Sequence, residues 1–218
     1  MHTFISPRNT LATSIICLLT LGVSCAATSA QDVLVIRGEY KPGRLESFLI
    51  ANPGATLTKQ KFGEFAAPTT ATFTVIVTSD PVTRAKLSGL EVRFLGADQM
   101  TVYLDDDCVK RLRGAVASLQ RSQLFDEEHR GEKSPADLAI PRVTSVYNDY
   151  TKWVRPDGQT ETAGILHVGY YGHEGGFGVY LAPVWGVNRR SAEFRYPTAS
   201  LTDLSKILLA AGAFLNSN

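Results

Sequence analysis

The side chains best suited to chemistry gather in a glycine-rich stretch, residues 170–177, which runs Tyr-Tyr-Gly-His-Glu-Gly-Gly-Phe. Glycines let the backbone approach a ligand, His173 could act as an acid, a base or a metal ligand, and Glu174 could orient it. The alternative is a hairpin tip with a solvated His–Glu pair, because neighbouring strand residues point to opposite faces. Tyr171, His173 and Glu174 are therefore candidate ligand contacts. The stretch is not a phosphate-binding loop, since no lysine follows the glycines and no helix opens there.

A second group of candidate contacts lies in the connection Pro183–Ser191, which contains Trp185, Arg189 and Arg190. An aromatic ring beside paired guanidinium groups can bind an anion, a sugar or a protein partner. The alternative is a long hairpin whose tip stays soluble through its arginines. Because function often resides on such loops, these three side chains complete the set of candidates.

Three consecutive aspartates, Asp105–Asp107, suggest either a cation site or the start of a helix. Hard cations need several oxygens that converge from a curved loop, whereas negative charge is favourable at a helix N-terminus in any case. We therefore predict a helix cap and no metal site. Cys108 follows directly, and we predict that it is a small residue at the edge of the core, because adjacent carboxylates oppose a reactive thiolate.

The sequence lacks the common catalytic and cofactor-binding motifs. There is no G-x-S-x-G elbow, H-E-x-x-H motif, C-x-x-C pair, phosphate-binding loop or dinucleotide fingerprint. His129, His167 and His173 do not have the spacing of metal ligands. A Ser–His–Asp site can be built from distant residues, but the sequence nominates none. We predict no cofactor.

The elements that must position these residues are clearest at the C-terminus, residues 191–218. Apolar residues recur there every three or four positions, which predicts an amphipathic helix. They are Leu201, Leu204, Ile207, Leu208, Ala211, Phe214 and Leu215. Ser200 is a suitable N-cap, and Asp203 completes a pattern like a capping box. The preceding stretch Ala192–Tyr196 alternates as a strand does, and Pro197 ends it.

A similar unit occurs earlier, at residues 99–121. Its strand alternates over Met100–Leu104, and its helical stripe consists of Val109, Leu112, Val116 and Leu119. Further upstream, strand-like segments match in order, so we predict an α+β fold of antiparallel sheet with two amphipathic helices and an internal duplication of a strand–strand–helix unit. The element order resembles the Whirly type of single-stranded-nucleic-acid-binding fold, but no motif of that group occurs here.

Beyond these units, the sequence predicts mostly strands and one connector. Strands are expected at Val33–Tyr40, Phe48–Ala51 and Leu57–Phe65, separated by turns with central Pro-Gly at residues 41–44 and 52–55. Residues 122–142 are predicted to be a charged connector that could extend the first helix by a turn or two. The two halves are then residues 31–121 and 143–218, which together form one domain. Val143–Val154 fits a helix or a strand, and we predict a strand because residues 155–158 resemble a hairpin turn.

Residues 1–30 have the features of a secretory signal peptide. Arg8 is the one charged residue, an apolar stretch covers residues 11–23, and small residues surround the predicted cleavage after Ala30. The apolar stretch is too short to cross a bilayer, which takes about 20 residues. In the alternative, residues 21–25 form a loose bacterial lipobox, although Gly22 departs from it, and Cys25 becomes a lipid anchor.

Charge and location together narrow the function. The chain has 22 basic and 21 acidic residues, and Arg8 lies in the predicted signal, so the remainder is balanced at 21 to 21. Such a chain has no long-range attraction for nucleic acid or an anionic membrane. We predict an exported protein, periplasmic or secreted or else lipid-anchored. Its expected role is non-catalytic binding of an unknown protein or small molecule. The alternative is a small exported hydrolase that uses His173 and Glu174.

Overall fold

The fold is built on two main antiparallel sheets, each followed by a long helix. The computed structural model describes Leu34–Val35 and residues 42–96, 100–146, 153–154, 160–161, 165–185 and 190–217, with side chains for 42–96, 100–146, 165–184 and 192–217. Two short elements precede the first sheet, the strand β1 (Leu34–Val35) and the helix α1 (Arg44–Ala51).

The first sheet is a meander in which four consecutive strands pair in chain order. The strands are β2 (Thr58–Phe65), β3 (Thr70–Ser79), β4 (Lys86–Leu95) and β5 (Met100–Asp105), and the helix α2 (Asp106–Glu128) follows at once. Phe73, Val92 and Val102 lie opposite one another on β3, β4 and β5, and all three are buried. Because side chains alternate along a strand, this row places one face of the sheet in the core.

The second sheet has the same order of main strands. The remaining elements are the helix α3 (Pro135–Ala139), β6 (Arg142–Val146), β7 (Trp153–Val154), β8 (Thr160–Glu161), β9 (Leu166–His173), β10 (Gly176–Trp185), β11 (Arg190–Ser191), β12 (Phe194–Tyr196) and the helix α4 (Leu201–Ser217). Strands β6, β9, β10 and β12 pair in that order, β11 links the end of β10 to β1, and β7 pairs with β8. A meander followed by a helix therefore occurs twice.

The predicted fold class is confirmed. The protein is α+β, with two antiparallel sheets, and the shared element order is consistent with the predicted internal duplication. Helices α2 and α4 are the two amphipathic helices, and α1 and α3 are shorter additions. In α2 the predicted stripe faces inward, with Val109, Leu112 and Val116 buried. In α4, Leu201, Leu204, Leu208 and Ala211 are buried likewise.

The two halves share one hydrophobic core. It takes buried side chains from both sheets and from α2 and α4. Phe94 of the first sheet stacks on Phe194 of the second, with ring centroids 5.0 Å apart and planes 16° from parallel. Phe65 and Tyr196 also meet across the halves, at 5.3 Å. Such aromatic pairs contribute about 0.5–1.5 kcal/mol beyond their buried area, so each half is stabilised by the other.

Helix α1 corrects one prediction, because Phe48–Ala51 was expected to be a strand. The backbone N–H groups of Arg44 and Leu45 donate to the two carboxylate oxygens of Asp105, each at 3.0 Å. Asp105 precedes α2, as predicted, but its side chain makes no capping bond to α2. The helix therefore obtains its N-terminal partners from a residue about sixty positions away, which no local pattern can reveal.

The N-terminal turns differ in detail from the predictions, whereas the connector extends the first helix by about two turns, as predicted. Pro42 and Gly43 lead into α1 rather than forming a turn. The turn at 52–55 forms, with the N–H of Ala55 donating to the carbonyl of Asn52 at 3.0 Å, but Gly54 lacks the positive φ of a type II turn. Helix α2 extends into the predicted connector as far as Glu128. Val143–Val146 lies in a strand, whereas the predicted turn at 155–158 lies outside the described residues.

Candidate functional site

The glycine-rich stretch forms a tight hairpin between β9 and β10. The strands pair from His173 opposite Gly176 down to Leu166 opposite Pro183, so only Glu174 and Gly175 remain for the turn. Gly176 has φ +135°, a conformation that residues with a side chain rarely adopt. The turn itself therefore accounts for the glycines, whether or not a ligand binds beside them.

His173 is engaged in the turn, whereas Glu174 is exposed at its tip. The N–H of Gly175 donates to Nδ1 of His173 at 3.1 Å, and the Arg130 guanidinium donates to the His173 carbonyl. Among the described residues, the buried Nε2 of His173 has no hydrogen-bond partner. Because Nδ1 accepts, a neutral ring carries its proton on Nε2. The contacts that His173 makes with described residues thus stabilise the turn, and none of them is with a nucleophilic side chain.

The other predicted contacts lie along the second sheet. Tyr171 belongs to a small buried cluster with Tyr180 and Ala182, and the Arg195 guanidinium stands 5.3 Å from the centre of its ring. The Tyr171 and His173 rings are 5.9 Å apart, so these two predicted residues are neighbours. Trp185 ends β10 and lies opposite Arg190 of β11 in the ladder. Arg189 lies outside the described residues.

A buried carboxylate that the sequence analysis missed lies behind the hairpin, at Asp126. Its side chain is only 3% exposed. Arg142 approaches with both Nε, at 2.8 Å, and Nη2, at 3.1 Å, and the Tyr170 hydroxyl donates at 2.7 Å. The Lys133 ammonium completes this Asp126 cluster. The cluster ties α2 to β6, β9 and the segment before α3.

The hydrogen bonds of the Asp126 cluster control its protonation. Burial alone would raise the pKa of Asp126, but the hydrogen bonds from Lys133 and Tyr170 and the positive charge of Arg142 outweigh burial and lower it below 3.8. Burial and the bond to Asp126 raise the pKa of Tyr170. Asp126 is therefore ionised and Tyr170 protonated at neutral pH. With three donors on one carboxylate, the cluster is suited to holding the fold together rather than to proton transfer.

A serine–histidine pair, also missed by the sequence analysis, lies on the face of the second sheet turned away from the core. Ser145 of β6 is opposite His167 of β9, and its Oγ is 2.8 Å from Nδ1 of the imidazole. Burial lowers the pKa of His167 below 6.5, and the charge of Glu193 partly offsets this. A hydroxyl beside a neutral imidazole has the geometry of a nucleophile and its base. Ser145 and His167 are neighbours only because of the strand register, which could not be derived from the sequence.

The outer face of the first sheet holds another buried carboxylate, Glu91. Lys59 and Arg93 lie 3.4 Å and 3.3 Å from it, on β2 and β4. Burial, together with the charge of Glu91 and a hydrogen bond to it, raises the pKa of Tyr103 to about 12. These contacts pair charges within the sheet. The described residues include no group of three His, Cys, Asp or Glu side chains able to hold a metal ion.

A cleft of about 610 Å³ lies between α1 and the end of β3, and we name it the α1 cleft. It is lined by Phe48, Asn52, Gly54, Ala55, Thr56, Thr58, Val77, Thr78, Ser79 and Pro81. None of these side chains is ionisable. The turn at 52–55, which the sequence did predict, forms one wall, and α1, which it did not, forms another. The cleft is within the size range of small-molecule sites.

Two hydrogen bonds fix the polar lining of the α1 cleft. The amide nitrogen of Asn52 donates to the Phe48 carbonyl at 3.0 Å. The Thr78 hydroxyl donates to the Thr56 carbonyl at 2.9 Å. The cleft can therefore bind and orient a molecule through hydroxyl and amide groups, whereas its described lining includes no general acid, general base or ionised nucleophile.

No protein-family model, no curated protein and no solved structure matches this chain. None of the described helices combines the length and the apolar character needed to cross a bilayer. Function is therefore inferred from the geometry of these sites.

Proposed function

We propose that the protein is an exported binding protein without catalytic activity, and that its ligand occupies the α1 cleft. The observation that carries this proposal is a cleft of about 610 Å³ whose described lining side chains include none that titrates. Binding sites of this size are typically apolar with a few placed polar groups. Phe48, Val77 and Pro81 supply the apolar part here, and threonine, serine and asparagine supply the polar part.

Filling the cleft should abolish ligand binding. Gly54 is exposed, and a Cβ atom added to it meets nothing within 4 Å, so Gly54→Trp puts an indole at the cleft with little strain. Gly131→Trp is the matched control, because Gly131 is also exposed and unobstructed but lies away from the cleft. In ligand-observed NMR with a library of neutral fragments, we expect signals that Gly54→Trp removes and Gly131→Trp retains. Fragment binding that survives Gly54→Trp would refute the cleft as the site.

Export is the second part of the proposal, and it rests on the sequence of residues 1–30. Expressed in a bacterial host with its own leader, the protein should have an intact mass that corresponds to a start at Gln31 or at another unmodified residue of the cleavage region. A mass that corresponds to an acylated Cys25 would instead indicate a lipid-anchored envelope protein. A mass retaining Met1 would contradict both.

A small exported hydrolase is the second candidate function, and the contact between Ser145 and His167 is the observation that favours it. If it is correct, a fluorophosphonate probe labels Ser145, and labelling persists below pH 6.5 because burial keeps the pKa of His167 low. Ser145→Ala abolishes labelling, whereas Ser122→Ala, at an exposed-hydroxyl position on α2, does not. Loss of hydrolysis in His173→Ala instead would indicate a site at the hairpin with Glu174.

A further inference from the structure

We infer that the ligand of the α1 cleft is an uncharged saccharide or a similar cyclic polyol. This rests on the proposed function and adds the chemical class of the ligand. Three properties of the lining lead to it, namely its charge, its hydrogen-bonding groups and its apolar wall.

The first property is that none of the described lining side chains is charged. The nearest acid along the chain, Asp80, lies between the lining residues Ser79 and Pro81, but its carboxylate accepts the N–H groups of Val82 and Thr83 at 2.7 Å and 3.1 Å. It is thus engaged in its own turn. An anionic ligand would lose hydration in the cleft without gaining an opposite charge from the described lining, and a cation would have to compete with the N–H groups that the Asp80 carboxylate already accepts. A neutral ligand has no such penalty.

The second property is an excess of acceptors. The amide nitrogen of Asn52 uses one of its two N–H groups on the Phe48 carbonyl, so one N–H and the two lone pairs of Oδ1 remain for a ligand. The proton of the Thr78 hydroxyl goes to Thr56, so the Thr78 oxygen can only accept. Thr58 and Ser79 add hydroxyls that both donate and accept. Acceptor sites on these side chains therefore outnumber the remaining donors, and a set of ligand hydroxyl groups, which can both donate and accept, suits them.

The third property is the apolar wall formed by Phe48, Val77 and Pro81. A sugar ring presents C–H groups on its faces and hydroxyls around its rim. Its face can therefore pack on Phe48 while the rim donates to the acceptors. A purely apolar molecule would leave the acceptors that it covers unpaired, which weakens its binding.

The test is a titration of the isotope-labelled mature protein, followed by amide NMR shifts. The probes are maltose, cellobiose and diacetylchitobiose as neutral sugars, glucuronate and glucosamine as charged ones, and toluene as an apolar molecule without donors. We expect a neutral disaccharide to bind with a dissociation constant on the order of millimolar, with shifts concentrated in residues 48–58 and 77–81. Phe48→Ala should weaken binding about tenfold, and Gly54→Trp should remove it while Gly131→Trp does not.

The outcomes separate the ligand class from the binding site. Binding of toluene at the cleft without binding of any sugar overturns the saccharide assignment and leaves the cleft as the site. Charged sugars that bind as tightly as neutral ones also overturn the assignment. If no probe and no library fragment shifts the cleft residues, the proposed function fails together with the inference.

Discussion

Asp126→Asn is expected to lower the free energy of unfolding by roughly 2–3 kcal/mol. Removing one member of a buried ion pair typically costs about 3–5 kcal/mol, because the partner charges stay behind uncompensated. Here the cost is smaller, since the Lys133 and Arg142 side chains are 26% and 52% exposed and can be hydrated. Asparagine also still accepts the Tyr170 hydroxyl. Urea unfolding at neutral pH measures the difference.

The effect of Asp126→Asn depends on pH in a defined direction. The folded state lowers the pKa of Asp126 below 3.8, so its ionisation stabilises the fold fully above that value. This stabilisation disappears as the pH falls through the folded-state pKa. The wild type and Asp126→Asn should therefore converge in stability under strongly acidic conditions.

The control for Asp126→Asn is Glu127→Gln, which removes a charge from the adjacent exposed position of α2. Surface changes of this kind alter stability by about 0.5 kcal/mol or less. Equal losses for the two variants would show that net charge, and not the Asp126 cluster, is responsible.

Gly169→Ala is expected to destabilise the protein by about 2–4 kcal/mol, at or beyond the upper end of ordinary overpacking. Gly169 of β9 pairs with Val143 of β6. A Cβ atom on Gly169 would lie 2.0 Å from the Arg142 carbonyl oxygen and 2.9 Å from Cα of Val143. Both obstacles are backbone atoms, so a side-chain rotation cannot relieve the clash and β6 must move away.

The matched control for Gly169→Ala is Gly114→Ala, where the new Cβ atom meets nothing within 4 Å on the exposed side of α2. There the same substitution should raise stability by about 0.5–1 kcal/mol, because alanine favours the helix. Thermal unfolding of both variants therefore gives shifts of opposite sign. A neutral Gly169→Ala would mean that β6 is not held against β9 as described.

Features with a local cause could be predicted from the sequence. The apolar spacing from Val109 to Val116 and from Leu201 to Ala211 predicted α2 and α4 with the correct inward faces. The alternation at Met100–Leu104 predicted β5, and the glycines at 172–176 predicted a possible hairpin tip. Each depends on a period or a turn that neighbouring residues specify.

Features with a tertiary cause could not be predicted. Helix α1 begins where Asp105 accepts two of its N–H groups, and no residue near Phe48 signals that. Asp126 lies in a mixed charge run, and only the strand residues Arg142 and Tyr170 make it a buried carboxylate. Ser145 and His167 meet through strand register alone. The α1 cleft could not be predicted either, because α1, which forms one of its walls, depends on a tertiary contact.

The bond from Asp105 to α1 links ligand occupancy to local opening of the chain. Opening α1 breaks the hydrogen bonds of Arg44 and Leu45 and also removes Phe48 and Asn52 from the wall of the α1 cleft. A ligand that binds only the closed form must therefore oppose that opening. If the cleft binds a ligand as proposed, amide hydrogen exchange at Arg44 and Leu45 is expected to become slower as the cleft fills. The N–H groups at the start of α1 would thus report binding, although they do not contact the ligand themselves.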